Sequence, residues 1–351
     1  MSDVPESRLL LAVLRESWSE AEALPRSRPA AFVALARACD VHPTVHAVLE
    51  RAGRFDLVGE EAREALAGLR AKVRQDNLLL LARAEQVLDA LAAAGIVPVA
   101  LKGLDTLHRY YGRFDARTLD DVDLLIPEER LGDAVRALEA VGWTTPPEPE
   151  RTHWLRSSFE LPLTSPGPVT VGLELHWSLG QEGRYAVDPH ALRARAVPAR
   201  ICERDVLRLD DHDAAAHLLL HHVQHYFDRR LKWALDLRRI VGEPGFRWST
   251  VAERLTQWGG RGAAGLALVH LVRLFPDLGR GDALRALPAA PWRRAALLPL
   301  RTGHPLDLYR GTRRRWIQLW LAAAALERPR DLPAYVRRRG RRDRDGGGPA
   351  L

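Results

Sequence analysis

The sequence has 351 residues, enough for about two domains of ~100–200 residues each. Hydrophobic residues make up 46% of it and charged residues 28%, proportions that are typical of a soluble globular protein. Two cysteines, Cys39 and Cys202, exclude a disulfide framework, and the first residues lack the basic and apolar regions of a signal peptide. We therefore predict a cytoplasmic protein with no membrane partner, and the formal net charge of +7 raises the question of a nucleic-acid partner.

Residues 1–95 are predicted to form an N-terminal helical segment. Leu10, Val13 and Leu14 recur at the spacing of one helix face, and similar apolar patterns follow further along the segment. A glycine that ends a helix often takes the left-handed conformation, so we expect Gly95 to cap the last of these helices.

Residues 96–205 are predicted to form the α/β core, because the apolar period changes there from helical to short runs bounded by turn residues. The predicted strands cover residues 96–101, 122–126, 159–163 and 169–175, the last two as a hairpin. Helices are predicted over residues 104–111 and 128–141. We therefore expect a mixed sheet of about four strands with helices packed on it.

The rest of the sequence is predicted to be helical and then disordered. Residues 206–335 form a C-terminal helical domain, interrupted by glycine and proline clusters. Residues 336–351 form a basic tail that is too polar and glycine-rich to pack, and it holds much of the positive charge, so nucleic acid is not a favoured partner. The predicted fold class is α+β, a small mixed β-sheet core flanked by N-terminal helices and a C-terminal helical domain.

The strongest chemical signal is the acidic pair in Asp121-Val122-Asp123. Residues two apart on a strand project from the same face, so these carboxylates are expected about 6–7 Å apart. They can share one or two divalent cations, and Mg²⁺ prefers carboxylate and phosphate oxygens. The alternative for an isolated acidic pair is a turn or a helix N-cap, a role that Asp120 also fits.

Two other segments favour a metal site over a turn. Upstream, a predicted strand ends at Lys102-Gly103 before a helix, and a glycine there lets the backbone approach a phosphate at the helix N-terminus. Downstream, Glu174 is a third acid within an apolar strand. Three strand carboxylates beside a phosphate-binding turn are the arrangement that two-metal phosphoryl transfer needs.

Several stretches, in this order along the chain, resemble a known family. They are Leu101-Lys102-Gly103, Tyr110-Tyr111, Arg117, Asp121-Val122-Asp123-Leu124-Leu125-Ile126, Glu174-Leu175-His176-Trp177, His221, His225, Leu231-Lys232-Trp233 and Asp236-Leu237. Over about residues 70–240 the sequence is similar to the bacterial uncharacterised nucleotidyltransferase family, which belongs to the DNA polymerase beta-like nucleotidyltransferase superfamily.

The resemblance implies a metal-dependent nucleotidyltransferase. Such an enzyme moves a nucleoside monophosphate from ATP or another NTP to a hydroxyl-bearing or other nucleophilic acceptor, here an unidentified small molecule or peptide. By this resemblance Asp121 and Asp123 bind two Mg²⁺ or Mn²⁺ ions, and Glu174 is a third ligand or the base that activates the acceptor. Gly103 and the helix after it would hold the phosphates.

Two departures from the wider superfamily leave a second function open. Its usual turn is Gly-Ser or Gly-Gly with a short gap to the acidic pair, whereas Lys102-Gly103-Leu104 has no hydroxyl and the gap to Asp121 is longer. Phosphate contact would rest on backbone N–H groups and Lys102. The alternative is a catalytically weak nucleotidyltransferase-like binding or accessory protein in natural-product or peptide biosynthesis.

Three basic residues each have two interpretations as part of a cofactor-binding or nucleotide-binding site. Lys102 binds a triphosphate oxygen or pairs with a carboxylate of the site. Arg117 neutralises phosphate charge or forms a structural salt bridge. Lys232 reaches phosphate from the C-terminal domain or is a surface lysine.

A row of histidines shares one helix face. His217, His221 and His225 follow i, i+4, i+8 spacing. They form a metal site of the phosphohydrolase kind, line the cleft beside the acidic pair, or have a structural role. All three interpretations stay open from the sequence.

Overall fold

A computed structural model describes residues 5–180, 184–225, 227, 230–295, 297, 321 and 323–326. Over these residues the protein is α+β, with a six-stranded mixed sheet flanked by helices, so the predicted fold class is confirmed. The predicted basic tail, residues 336–351, lies outside the described residues. The division of the chain at residues 95, 205 and 335 stays a prediction.

The chain begins with helices, as predicted. They are α1 (Pro5–Arg15), α2 (Trp18–Glu22), α3 (Pro29–Ala38), α4 (His42–Ala52) and α5 (Glu60–Ala93). The first turn of α5 carries two glutamates, which suit the positive end of a helix dipole. Beyond its last turn, Gly95 has a φ of 68°, the left-handed conformation expected for a glycine that ends a helix.

The strands form one mixed sheet. They are β1 (Val99–Ala100), β2 (Asp121–Leu125), β3 (Glu160–Thr164), β4 (Gly172–His176), β5 (Val197–Ile201) and β6 (Arg204–Arg208). Their order is β3-β4-β2-β1-β6-β5. β2 is parallel to β4 and β1 is parallel to β6, whereas the other neighbours are antiparallel. The strand with the acidic pair therefore lies between β4 and the strand that precedes Lys102.

The sheet has two strands more than the sequence predicted. The missed hairpin, β5 and β6, turns at Cys202-Glu203 with φ values of 49° and 61°, the two positive values of a tight hairpin turn. Its usual Asn-Gly signature is absent, and Pro198 is tolerated because β5 is an edge strand. The first strand is also shorter than predicted, and β6 extends to Arg208.

Helices accompany the strands. Between β1 and β2, α6 (Lys102–Thr106) continues into a π-helical turn (Leu107–Tyr111). The other helices of this part are α7 (Leu131–Ala140), α8 (Glu150–Ser157) and α9 (Pro189–Arg195).

The C-terminal half is helical over its described residues. Its helices are α10 (Asp211–Gln224), α11 (Lys232–Val241), α12 (Trp248–Gln257), α13 (Arg261–Leu274), α14 (Ala283–Ala286) and α15 (Pro291–Ala295). The Asp213 N–H donates to the Asp210 carboxylate at 2.7 Å, which caps α10. α10 contacts α11, α12 and α13. Among helices of the described residues, none is long and apolar enough to cross a lipid bilayer.

The two faces of β2 contribute to different apolar cores. Val122 and Leu124 belong to the core that includes Leu91 of α5. Leu125, on the opposite face, belongs to the core that includes Leu219 of α10. Since side chains alternate along a strand, the acidic pair shares the face of Leu125 and points towards the helical side that contains α10.

Candidate metal centre

The acidic residues meet because β2 and β4 are parallel neighbours. Asp123 lies opposite Glu174, and Asp121 lies opposite Gly172. Residues opposite each other in a sheet project from the same face, so the three carboxylates share one side. The side chain of Asp123 is only 5% exposed, whereas that of Glu174 is 31% exposed. The carboxylates therefore extend from the protein interior, at Asp123, to the solvent-accessible surface, at Glu174.

Lys102 enters this group from the end of β1. The Leu101 N–H donates to the Asp123 carbonyl at 3.0 Å, so the turn begins beside the acidic pair. The Lys102 Nζ lies 2.7 Å from Asp123 Oδ1 and 3.7 Å from Glu174 Oε2. Its backbone φ of 41° is a left-handed conformation that costs a non-glycine residue about 1 kcal/mol or more. In this arrangement Lys102 pairs with a carboxylate, as one of its two interpretations had it.

His176 also points at the acidic residues. Its Nε2 lies 3.0 Å from Asp123 Oδ1 and 3.4 Å from Glu174 Oε2. Its other ring nitrogen, Nδ1, lies 3.4 Å from Glu160 Oε2, because Glu160 of β3 is the register partner of His176. The imidazole is 2% exposed; its Nε2 is hydrogen-bonded to Asp123, whereas its Nδ1 is within ion-pair distance of Glu160 but makes no hydrogen bond among the described residues.

The charges at this centre shift several pKa values. Burial alone would raise the pKa of Asp123 and lower that of Lys102, but their mutual attraction reverses both effects. The pKa of Asp123 is therefore held well below its usual range, and that of Lys102 is held above its own. Burial would likewise lower the pKa of His176, yet hydrogen bonds to Asp123 and Glu174 raise it to about 9.

Two carboxyl groups of the centre favour the protonated form, because their negative charge is not compensated. Burial, followed by the charge of Asp123, raises the pKa of Asp121 to about 8. Burial also raises the pKa of Glu160. Within the described part of the chain, no hydrogen bond or ion pair reaches the Asp121 carboxylate. Four carboxylates thus surround two basic side chains, which leaves the centre short of positive charge.

This donor set fits a divalent cation. Carboxylate oxygens are the ligands that Mg²⁺ and Mn²⁺ prefer, and an excess of buried carboxylate is stabilised by a cation. Asp123, Glu174 and His176 each offer one ligand atom, and these atoms all lie within 4.8 Å of one another. Asp121 lies one strand pleat away on the same face. The residues that would hold a metal are therefore these four.

Gly103 has a clear packing role. A Cβ placed on it would lie 2.7 Å from Arg117 Nη1 and 3.0 Å from Leu119 Cδ2. The side chain of Arg117 therefore passes close to the turn because residue 103 has no side chain. Phosphate binding by the backbone of Gly103 stays a prediction.

Arg117 forms the structural salt bridge of its second interpretation. It is 2% exposed, and its Nε and Nη2 donate to the Asp236 carboxylate at 3.0 and 2.7 Å. Its Nη1 donates to the Thr118 carbonyl at 2.8 Å. The Tyr111 hydroxyl donates to the same Asp236 at 2.9 Å. Contact between Arg117 and a phosphate stays a prediction.

Lys232 is buried rather than a surface lysine, so that interpretation is wrong. It is 3% exposed, and its Nζ lies 2.6 Å from Asp40 Oδ2 and 2.9 Å from Asp120 Oδ2. It also donates to the Thr118 hydroxyl at 3.3 Å. Lys232 thus neutralises the residue that precedes the acidic pair, and its contact with a phosphate stays a prediction.

The histidines of α10 lie on the side of the sheet that carries the acidic pair. Burial, followed by the nearby charge of Lys102, lowers the pKa of His217 to about 3. The His221 ring lies 4.4 Å from the Trp233 ring and 4.2 Å from that of His225, measured between centroids. Among the described residues these histidines form no group of three metal donors. His217 and His221 are buried, and a role in lining a cleft stays a prediction.

The sequence did not predict a role for two residues of the centre, His176 and Glu160. His176 lies two residues after Glu174, so strand alternation already puts it on the same face, and that signal was present. Glu160 carries no such signal, because its position depends on the register of the β3–β4 hairpin.

Comparison with known proteins places the chain in a family. Residues 25–276 match the family described as "Uncharacterised nucleotidyltransferase". No curated protein matches the chain. Among solved structures it is similar to the crystal structure of an antigenic nucleotidyltransferase-like protein from Paracoccidioides brasiliensis, with 16% sequence identity and a TM-score of 0.36 over 61% of this chain and 94% of that chain. Since the family match spans most of the sequence, the chain belongs to the uncharacterised nucleotidyltransferase family.

Proposed function

We propose that this protein is a metal-dependent nucleotidyltransferase that moves a nucleoside monophosphate from an NTP to a hydroxyl or other nucleophile. The observation that carries the proposal is the pairing of Asp123 with Glu174 across β2 and β4, with Asp121 on the same face. The carboxyl groups of the centre outnumber its basic side chains. Divalent cations bound together with a triphosphate would supply the missing positive charge.

The reaction has a simple balance. The acceptor oxygen or nitrogen forms a bond to the α-phosphorus, the bond from that phosphorus to the bridging oxygen breaks, and pyrophosphate leaves. The proton of the acceptor must go to a base, and the Glu174 carboxylate, 31% exposed against 5% for Asp123, is open to solvent and substrate. Bound divalent cations supply neutralisation of the phosphates and a lower pKa of the acceptor.

The chain's own residues have separate proposed roles. Asp121 and Asp123 are ligands, and Glu174 is a third ligand or the base. Lys102, now 2.7 Å from Asp123, is a point charge that also suits a triphosphate oxygen. The strained backbone of Lys102 supports a functional role, because strain of this kind gathers at binding and catalytic sites.

The test measures NTP binding to the full chain by calorimetry, with each of the four NTPs in the presence of Mg²⁺, Mn²⁺ or EDTA. We expect metal-dependent binding that weakens by about tenfold or more in Asp123→Asn, since even outer residues of metal sites contribute that much. The matched control is Asp205→Asn, whose side chain is 93% exposed on β6. Wild-type protein that binds no NTP in either metal overturns the proposal.

The alternative is a catalytically weak binding or accessory protein in natural-product or peptide biosynthesis. Two observations favour it: the turn lacks a hydroxyl, and the space beside Gly103 is filled by Arg117 and Leu119. NTP labelled at the α-phosphate separates the two functions. Transfer of label to a small-molecule or peptide acceptor supports the enzyme, and metal-dependent NTP binding without transfer supports the accessory protein. Membership of the DNA polymerase beta-like superfamily, a bacterial source and a cytoplasmic location stay predictions.

A further inference from the structure

We infer that His176 is a nitrogen ligand of the metal at this centre, together with Asp123 and Glu174, and that Glu160 orients its imidazole ring. The inference rests on the proposed function only in requiring a metal at this centre. It adds a ligand of a different chemical type, and this type selects among metal ions.

The spacing of the donor atoms is the first argument. Two ligands that each lie about 2.1–2.2 Å from one ion at right angles are about 3.0 Å apart. His176 Nε2 lies 3.0 Å from Asp123 Oδ1 and 3.4 Å from Glu174 Oε2. The imidazole nitrogen is thus at, or close to, the separation of a neighbouring ligand from each carboxylate, and all three donor atoms lie within 4.8 Å of one another.

The opposite side of the ring is the second argument. A histidine that binds a metal through one nitrogen usually donates its other N–H to a carboxylate, which fixes the tautomer and the ring plane. His176 Nδ1 is buried and makes no hydrogen bond among the described residues, and Glu160 Oε2 lies 3.4 Å from it, so a small rotation of either side chain would form this bond. Without a cation, Nε2 carries a proton and donates it to Asp123, so a bound cation would displace that proton and meet the Nε2 lone pair beside Asp123 and Glu174.

The surroundings hold the ring in this position. His176 is the last residue of β4, where its backbone carbonyl accepts a hydrogen bond from the Ile126 N–H at 2.9 Å. The Phe159 ring lies 5.9 Å from the imidazole, measured between centroids. The ring is 2% exposed, so it contributes nothing to the surface and has no solvent-facing role.

The ligand type has a consequence for the choice of metal. Carboxylates and waters suit Mg²⁺, whereas imidazole suits first-row transition ions. Mn²⁺ accepts both kinds of ligand. A centre with Asp123, Glu174 and His176 is therefore expected to bind Mn²⁺ in preference to Mg²⁺, and removal of the imidazole is expected to reduce this preference.

The experiment uses the full chain with Mn²⁺ and no nucleotide. Continuous-wave electron paramagnetic resonance gives the affinity, and pulsed measurement of the bound ion detects the nuclear coupling of a ligating nitrogen. We expect a ¹⁴N coupling in the wild type, which becomes a ¹⁵N coupling when the protein is made with ¹⁵N-histidine. This wild-type readout needs no substitution and so does not depend on a variant's folding.

Variants assign the nitrogen. His176→Gln is expected to lose the coupling, bind Mn²⁺ about 10–100-fold more weakly and retain less preference over Mg²⁺. Glu160→Gln is expected to keep the coupling and weaken Mn²⁺ binding by a smaller factor. The control is His190→Gln, an exposed histidine on α9 that should change none of these values.

The outcomes separate this inference from the proposed function. Bound Mn²⁺ without a nitrogen coupling, or a coupling that survives in folded His176→Gln, overturns the inference. If Asp123→Asn still weakens metal-dependent NTP binding in that case, the proposed function stands and His176 is only a charged partner of Asp123. Wild-type protein that binds neither Mn²⁺ nor NTP overturns both.

Discussion

Two clusters of buried charged residues adjoin at the Lys102-Gly103 turn, and they differ in how their charges are balanced. The metal-centre cluster contains Lys102, Asp121, Asp123, Glu160, Glu174 and His176. The Arg117 cluster contains Tyr111, Arg117 and Asp236. Both are built from strand ends and helices around the same turn, but only one of them has a matched set of donors, acceptors and charges.

The Arg117 cluster is matched. Asp236 is 0% exposed and accepts hydrogen bonds from Arg117 and from the Tyr111 hydroxyl. Burial would lower the pKa of Arg117, but the charge of Asp236 raises it above its usual value. One cation faces one anion, and all three nitrogens of the Arg117 guanidinium group donate hydrogen bonds. The charges of this cluster are therefore balanced without a ligand.

The metal-centre cluster is unmatched, because four carboxyl groups surround two basic groups and burial beside Asp123 raises the pKa of Asp121 to about 8. In a site with only a structural role, neutral side chains would be expected in place of the surplus carboxylates, since uncompensated buried charge is destabilising. The contrast therefore separates buried charges that stabilise the fold, those of Arg117 and Asp236, from the surplus carboxyl groups that a bound cation would neutralise. It also predicts opposite effects when an acid is removed from each cluster.

The largest expected effect is on the matched cluster. Asp236→Ala leaves the buried Arg117 without its partner, so we expect a loss of about 3–5 kcal/mol in the free energy of unfolding. Urea unfolding of the full chain, monitored by circular dichroism, measures this loss of stability. In the control Asp133→Ala, an exposed ion pair with Arg130 is removed, and we expect a change below about 1 kcal/mol. Equal effects in the two variants would break the comparison.

The next effect tests the contact between the clusters. In Gly103→Ala the added Cβ meets Arg117 Nη1, which is held by the Thr118 carbonyl and is not free to move away. We expect a loss of about 1–3 kcal/mol, as for other overpacked sites. The control is Gly68→Ala, on an exposed face of α5 with open space around it, where alanine should stabilise by about 0.5–1 kcal/mol. The same sign for both changes would contradict the prediction.

The smallest effect is a gain of stability in the metal-centre cluster. The pKa of Asp121 rises from its ordinary 3.8 to about 8 in the folded protein, so the folded state holds the extra proton between about pH 4 and pH 8. Wild-type stability is therefore lost as the pH rises through that window. Asn carries no proton to lose, so metal-free Asp121→Asn should be more stable than wild type at pH 9 by on the order of 1 kcal/mol.

Urea unfolding in EDTA at pH 5 and pH 9 measures this gain as a difference between variant and wild type. The advantage of Asp121→Asn should grow between the two values. Asp205→Asn, exposed on β6, should show no such pH dependence. A variant that is less stable than wild type at pH 9 would show that Asp121 belongs to the framework.

Much of the candidate metal centre could be predicted from sequence, because strand alternation depends only on residues close together in the chain. Asp121 and Asp123 share a face through strand alternation, and Glu174 stands out as an acid in an apolar strand. The same alternation extends to His176, which had no assigned role because a single histidine in an apolar strand has no pattern of its own. The missed β5–β6 hairpin lacked the usual turn residues, so its sequence signal was weak.

What the sequence by itself determined is therefore the α+β class, the helical N-terminal segment and the acidic pair, all of which depend on residues close together in the chain. Only the tertiary structure decided which basic residue meets which carboxylate. Arg117 and Asp236 are 119 residues apart, and His176 reaches Asp123 across 53. Ion pairs form between neighbours in space, and the register of a sheet, set by long-range pairing, chooses those neighbours.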